Sequence, residues 1–281
     1  MSIIFSKSPT DQSQNQTGKA DRQVYPSSKD VKVPVSTNKL YQRWLEGLKA
    51  KFDDPNQDNN IVVRDILAEI YLGEKVDFEA EFSDSNASIT RQTLLASFDP
   101  RNITLEPEYY SDIDTDKYYA RKPFIWLWLQ FDRSPLGWNL DLGFKLRRLL
   151  AGYIFKSVGK NLRVFPYVEF SFGYNLSIGD NVVLHRNVFL DDRGGINIED
   201  NASISDYAAV FSHSHDIADQ SQVKLGSTEI GQGARITYHG TVLSGSRIGA
   251  DAMLGAHGLA TRSIPDHYVA IGSPAKPYKR K

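Results

Sequence analysis

Histidine is the residue type in this chain that is best suited to chemistry near neutral pH. The chain has 6 histidines in 281 residues, and an imidazole can accept or donate a proton because its pKa lies close to 7. His213 and His215 stand two residues apart, so an extended segment would point both rings to the same side. His239 and His257 are separated by 18 positions. These spacings suit general-base catalysis or metal binding.

The composition excludes several other kinds of function. The chain has no cysteine, which removes disulfides, thiolate nucleophiles and cysteine-based zinc sites. Lysine and arginine number 33 against 34 acidic residues, so no overall field attracts nucleic acid or an anionic membrane. The longest apolar run, at 124–131, is too short to span a bilayer, and the first residues lack a signal-peptide core. We expect a cytoplasmic protein with no integral membrane segment and no nucleic acid partner.

Aliphatic residues recur every six positions in the second half of the chain. Earlier triplets begin at Val158, Ile178 and Ile198, and the last run comprises Ile230, Ile236, Val242, Ile248, Leu254 and Ala260. A period of six matches neither a strand nor a helix. It fits coils of three short strands with a turn every six residues, in which Gly, Asp or Asn tolerates the corner conformation. Stacked coils then bury a continuous core that no single coil could bury.

Extra residues interrupt this period at one corner only. Two are inserted after Phe170, two after Leu190, and fourteen between Val210 and Ile230. The stacked coils would form a three-sided prism, and all the insertions therefore protrude from one edge of this prism. A long loop on a rigid scaffold is where function tends to lie, and this one carries His213 and His215.

The rest of the chain divides into two further regions. Residues 1–38 are polar and predict a disordered tail, and residues 39–155 predict a partly helical region. Within that region, helical spacing places apolar residues on one face at 40–48 and at 66–71, and Ser134-Pro135 could start a further helix. The β-helix domain is expected over 156–281.

The repeats and the end of the chain resemble those of the hexapeptide-repeat acyltransferases, in the branch of the maltose and galactoside O-acetyltransferases. The resemblance covers about residues 156–281 and implies a left-handed parallel β-helix, a handedness that the spacing itself does not give. The matching segments are GYNLSIGDN at 173–181, NVFLDD at 187–192, SHSHD at 212–216, LGA at 254–256, TRSIP at 261–265 and GSPAK at 272–276.

This resemblance implies an O-acetyltransferase that moves acetyl from acetyl-CoA to a hydroxyl of a sugar or glycan-like acceptor. His215 aligns with the catalytic general base, and His213 is the alternative that spacing alone leaves open. Direct transfer is expected, since the chain has no cysteine and no visible Ser/His/Asp arrangement to carry a covalent intermediate. The resemblance also implies a homotrimer with sites between neighbours, and we expect its contacts to include the edge formed by Tyr207, His239 and His257.

The same resemblance assigns the binding residues. The coenzyme would contact Gly255, Ala256, Thr261, Arg262 and Lys276. The acceptor would contact His185, Asn187, Asp191 and Asp192. Asp191 and Asp192 also suit a simple turn, and the sequence leaves the two interpretations equal.

Two other functions stay open. One is a metal-dependent hydratase of the γ-carbonic-anhydrase type, which uses a His-x4-His pair; this chain has none, so no metal is expected. The other is a non-enzymatic β-helix scaffold that assembles partners through its N-terminal region. Thioester cleavage in the presence of acceptors would separate the scaffold from the acetyltransferase.

Overall fold

The computed structural model describes residues 33–281. The expected tail, residues 1–38, lies mostly outside this range, but its last residues are helical. Helix α1 runs over Val35–Phe52 and begins directly after Pro34, whose missing N–H costs nothing at a helix start. Lys145 Nζ donates a 2.7 Å hydrogen bond to Asn38 Oδ1. The boundary expected at residue 39 is therefore corrected to Val35.

The helical region continues to Ile154. Helix α6 starts at Leu140 rather than at Ser134-Pro135, because Ser134 ends the preceding helix and the Asn139 side chain accepts a hydrogen bond from the Leu142 N–H. No helix in residues 33–281 is long and apolar enough to cross a membrane. The remaining helices are α2 (Asn59–Leu72), α3 (Phe78–Ser83), α4 (Ile89–Ser97), α5 (Thr115–Arg133) and α6 (Leu140–Ile154), with 3-10 helices at Pro100–Asn102 and Glu106–Tyr109.

A β-helix with three parallel faces follows the helices. The first face contains β1 (Ser157–Val158), β4 (Leu176–Ile178), β7 (Ile196–Ile198), β12 (Thr228–Ile230) and β15 (Arg247–Ile248). The second contains β2 (Arg163–Val164), β5 (Val183–Leu184), β8 (Ser203–Ile204), β13 (Arg235–Ile236), β16 (Met253–Leu254) and β18 (Tyr268–Ile271), with β19 (Lys276–Arg280) antiparallel at its end. The third contains β3 (Glu169–Phe170), β6 (Phe189–Asp191), β9 (Ala209–Phe211), β14 (Thr241–Val242) and β17 (Leu259–Ala260).

The strand register confirms the six-residue period. Val158 pairs with Ile178, Ile178 with Ile198, and Ile198 with Ile230. These aliphatic side chains stack inside the prism, where Ile198 and Ile230 have no exposed surface. All three insertions lie between the third face and the first. The predicted parallel β-helix is thus confirmed, including the corner from which the long loop leaves it.

The helical region closes the open end of this stack. In the first coil, N–H groups such as that of Arg163 donate to the second coil, which leaves the carbonyls of the neighbouring peptides pointing the other way. Trp128 Nε1 donates to Val168 O at 2.9 Å, and Arg148 Nε donates to Leu162 O at 3.0 Å. An uncovered strand edge invites pairing with other chains. Helices α5 and α6 therefore act as the cap of the β-helix.

A buried ion pair joins the two helices of the cap to the first coil. Arg147 on α6 has no exposed surface, and its Nε donates to Asp132 Oδ1 on α5 at 2.8 Å. The guanidinium also donates to Val164 O at 3.1 Å and Gly137 O at 3.0 Å. Asp132 Oδ2 accepts from the Tyr167 N–H at 2.6 Å. The pair is thus hydrogen-bonded on both sides, as a buried ion pair requires.

Arg147→Met is expected to lower the free energy of unfolding by about 3–5 kcal/mol, because it leaves the Asp132 carboxylate buried and without its counter-charge. Urea denaturation measures this loss. Lys145→Met on the same helix removes a partly exposed pair with Asp141 and should cost about 0–1 kcal/mol. Arg147→Met/Asp132→Asn should lose less than Arg147→Met alone. Equal losses for Arg147→Met and Lys145→Met would contradict this role.

Candidate active site

The long insertion forms a β-hairpin that stands outside the prism. Strand β10 (His213–His215) pairs antiparallel with β11 (Val223–Leu225), with His213 opposite Leu225 and His215 opposite Val223. Because the segment is extended, the two imidazoles fall on one side, and their centroids are 5.1 Å apart. The hairpin thus brings both candidate bases to one corner of the β-helix.

His215 is held in a single orientation by its own loop. Its Nδ1 lies 2.7 Å from the carbonyl oxygen of Gln220. A carbonyl can only accept, so Nδ1 carries the proton and Nε2 carries the lone pair in the neutral ring. The His215 side chain is exposed. This arrangement leaves the basic Nε2 of His215 accessible to a molecule that binds beside the hairpin.

His213 has a different partner from His215, because its ring nitrogen contacts a carboxylate. His213 Nδ1 lies 2.5 Å from Asp191 Oδ2, and both side chains are largely buried. Burial lowers the pKa of His213, and the negative charge of Asp191 opposes this shift. Burial likewise raises the pKa of Asp191, against the influence of His213 and Arg193. His213 and Asp191 therefore form a fixed pair at the base of the hairpin.

Arg193 links this pair to the helical region, a connection that the sequence does not predict. Its Nη2 lies 2.6 Å from Asp112 Oδ1, its Nε donates to Asp112 Oδ2 at 3.0 Å, and its guanidinium lies 4.3 Å from the Tyr110 ring centroid. The Arg193 N–H also donates to Asp191 Oδ1 at 3.3 Å. Asp112 belongs to an irregular segment without hydrophobic periodicity, so its sequence context does not predict a contact with Arg193.

Asp192 is not available to an acceptor, and that expectation is corrected. The residue has no exposed surface. Its oxygens accept hydrogen bonds from the N–H groups of Phe172 at 2.7 Å and Asn175 at 3.1 Å. Burial raises the pKa of Asp192 to about 6, while these bonds favour the carboxylate. Asp192 therefore supports the corner turn, and Asp191 alone of the two lies at the site.

His185 and Asn187 occupy a different corner, between the second and third faces. His185 stacks on Phe165 with centroids 4.8 Å apart, and burial lowers its pKa. Asn187 adopts a left-handed φ of 57° at the corner itself. Within this chain, the width of the third face thus separates these two residues from the hairpin.

The same corner carries a column of rings above Asn187. Tyr207, His239 and His257 also have positive φ values, and their rings stack at centroid distances of 5.0 Å for each neighbouring pair. The three side chains are exposed. The edge that we expected in a subunit contact therefore exists as one continuous surface.

The fold and the site place this chain beside known enzymes, although no protein-family model matches it. The galactoside O-acetyltransferase of Escherichia coli (strain K12) is 31% identical over 134 residues, which are 46% of this chain and 66% of that protein. A Staphylococcus aureus (strain Mu50) protein named as an acetyltransferase is 28% identical over 134 residues, 46% of this chain and 67% of its own length. The curated relatives of this chain are named acetyltransferases, and this chain is an acetyltransferase similar to the maltose and galactoside O-acetyltransferases.

A solved relative supports the architecture of this acetyltransferase. A galactoside acetyltransferase in complex with coenzyme A superposes with a TM-score of 0.53 at 23% identity, covering 61% of this chain and 85% of that chain. At this level of identity the likeness establishes the shared β-helix fold. The match of the curated relatives spans about two thirds of their length.

The residues expected to bind coenzyme lie on the last coils of the acetyltransferase. Ala256, Thr261, Arg262 and Lys276 are exposed and stay predicted contacts. Gly255 is corrected: it is buried, its N–H donates to Ala270 O, and an added Cβ would lie 2.8 Å from an Ile271 methyl carbon. Gly255 is therefore required for packing of the last coil, and its backbone is not free to meet a cofactor.

A metal-dependent mechanism finds no ligand set in the described part of this acetyltransferase. Across residues 33–281, no three or more His, Asp or Glu side chains are grouped so that they could hold a metal ion. His239 and His257 stack face to face, and no third candidate ligand joins them within the described residues.

Asp192→Asn should reduce the fall in the free energy of unfolding between about pH 4 and about pH 6.5. Burial raises the pKa of Asp192 to about 6, so its carboxylate costs stability as it ionises in the fold, and the uncharged amide does not. Chemical denaturation of both proteins at several pH values measures this dependence. An unchanged pH dependence in folded Asp192→Asn would contradict the burial of this carboxylate.

Proposed function

We propose that this protein transfers acetyl from acetyl-CoA to a hydroxyl of a sugar or glycan-like acceptor, with His215 as general base. The observation that carries the proposal is the hydrogen bond between His215 Nδ1 and the Gln220 carbonyl. It fixes the tautomer whose exposed Nε2 can take a proton. The coenzyme in the solved galactoside acetyltransferase complex supports the choice of donor.

The reaction follows from this geometry as a direct transfer. The acceptor hydroxyl oxygen forms a bond to the thioester carbon as His215 Nε2 takes the hydroxyl proton. The tetrahedral intermediate collapses, the carbon–sulfur bond breaks, and the proton passes from the imidazolium to the departing thiolate. The products are the acetyl ester and free coenzyme A. The Gln220 carbonyl also stabilises the imidazolium, because Nδ1 keeps its proton throughout.

His213 and Asp191 fit an orienting role better than a basic one. The only nitrogen of His213 with a described polar contact is Nδ1, which meets the Asp191 carboxylate. Asp191 itself is oriented by the backbone N–H of Arg193. In our proposal this pair lies beside the acceptor and aligns the reacting hydroxyl with His215 Nε2. His213 is therefore the second candidate base, and alanine variants of the two histidines separate their roles.

A complete site would combine two protomers. The resemblance places the acceptor contacts His185 and Asn187 with the base, yet in one chain they lie at another corner. The exposed column of Tyr207, His239 and His257 on that corner offers a surface for a neighbouring hairpin. In a cyclic homotrimer, the hairpin of each chain would contact this corner of one neighbour, and the ring of three such contacts is complete. We propose this assembly.

His215→Ala should lower kcat by about 10²–10⁴-fold, the usual effect of removing a general base. The fold should persist, because the exposed ring touches no core residue, and circular dichroism checks this. His213→Ala is the matched control two residues away and should lower kcat much less. Acetyl transfer from acetyl-CoA is measured for both variants. If His213→Ala loses activity while His215→Ala keeps it, the base is misassigned; if both keep it, the mechanism fails.

Mixing two defective chains tests whether sites are shared. Asn187→Ala should mainly raise the KM for the acceptor, and His215→Ala should lower kcat. In mixed trimers, random assortment gives about a quarter of the sites an intact His215 and an intact Asn187 from different chains. The kcat/KM of co-refolded mixtures should therefore exceed that of either variant alone. Light scattering should give a mass of three times the 31.6 kDa chain. A monomer mass, or no recovery in mixed trimers, would contradict the shared site.

A further inference from the structure

A cavity of about 180 Å³ lies between the helical cap and the outer side of the third face. Helix α5 and the 3-10 helix Glu106–Tyr109 form one side, and strands β3 and β6 form the other. Arg133 and Glu169 border it, each about half exposed, so the cavity opens to solvent between them. Its apolar lining is Leu105, Pro107, Ile125, Leu129, Phe170 and Phe189.

One polar group in this lining has no partner. Tyr118 lines the cavity and has no exposed surface, and its hydroxyl forms no hydrogen bond with any residue of the described range 33–281. A buried hydroxyl without a partner is costly and uncommon in native proteins. The Tyr118 hydroxyl therefore offers a partner for a polar atom of a ligand, in a cavity whose lining also includes Glu106, Tyr110 and Ser171.

The cavity and the candidate active site share strand β6, because Phe189 lines the cavity and Asp191 contacts His213. Phe189 and Asp191 alternate with the buried Leu190 along β6, so both point outward and lie about 7 Å apart along the strand. The Phe189 ring lies 5.9 Å from that of Phe211, which precedes His213 by two residues. A molecule that fills the cavity and extends past these two rings would therefore approach the pair of Asp191 and His213.

We propose that this cavity is an acceptor subsite for one aromatic ring that carries a small polar group and is attached to the sugar-like part. The inference rests on the proposed function. An apolar cavity of about 150 Å³ is known to hold benzene, so a single substituted ring matches the volume. The Tyr118 hydroxyl would bind the polar substituent. The acceptor side is favoured because the cavity lies against the first two coils, whereas the expected coenzyme contacts begin at Ala256.

Binding of a simple probe tests the subsite without catalysis. Isothermal titration of the full chain with phenol and with toluene should detect both ligands. Leu129→Trp fills the cavity and should weaken both by about tenfold or more, a change of about 1.4 kcal/mol. Tyr118→Phe should weaken phenol about three- to tenfold and leave toluene unchanged, because only one hydrogen bond is lost. Leu140→Trp, on the exposed part of α6, is the matched control and should change neither.

Kinetics then connect the subsite to the acceptor. Phenyl β-galactoside should have a KM about tenfold or more below that of methyl β-galactoside, and Leu129→Trp should abolish the difference while the KM for acetyl-CoA stays the same. If folded Leu129→Trp binds phenol as the parent does, or if phenol does not bind, the subsite is refuted. Equal KM values for the two glycosides would also refute it. If phenol binds as stated and neither glycoside is acetylated, the cavity is supported and the proposed galactoside-like acceptor is wrong.

Discussion

The geometry of the candidate site depends on the buried ion pair between Arg147 and Asp132. A buried pair of charges is rarely a net source of stability, since both ions lose their hydration. Here the pair positions the two helices on the β-helix, because each partner also forms a hydrogen bond with the first coil. Arg147 donates to Val164 O, and Asp132 accepts from the Tyr167 N–H. Helices α5 and α6 can therefore dock on the β-helix in one orientation only.

The docked position of helix α5 is linked to the hairpin through a short series of contacts. Helix α5 begins at Thr115, so docking it also places the segment just before it against the third face. There Asp112 pairs with Arg193, and the Arg193 backbone orients Asp191, which meets His213. The helical region thus has two functions in one acetyltransferase: it covers the free carbonyls of the first coil and it forms one wall of the site. A scaffold role is not needed to explain it.

The sequence predicts the β-helix well and the site only in part, for one physical reason. The six-residue period arises from contacts within and between consecutive coils, so Ile178, Ile198 and Ile230 reveal their stacking by spacing alone. The corner that carries the insertions follows by counting. The tautomer of His215 and the burial of Asp192 depend on backbone groups that no side-chain pattern encodes. The pairing of Arg193 with Asp112 joins residues 81 positions apart, one of them in a segment without periodicity.

The central claim is that His215 acts through Nε2 because its Nδ1–H is held by the Gln220 carbonyl. Nitrogen NMR of the full chain, with long-range correlations assigned through His215→Ala, reads the tautomer directly. The neutral ring should carry its proton on Nδ1, and the loss of kcat/KM in acid should follow the measured titration of this ring. A neutral ring protonated on Nε2, or a rate that follows the titration of His213 instead, would contradict the mechanism.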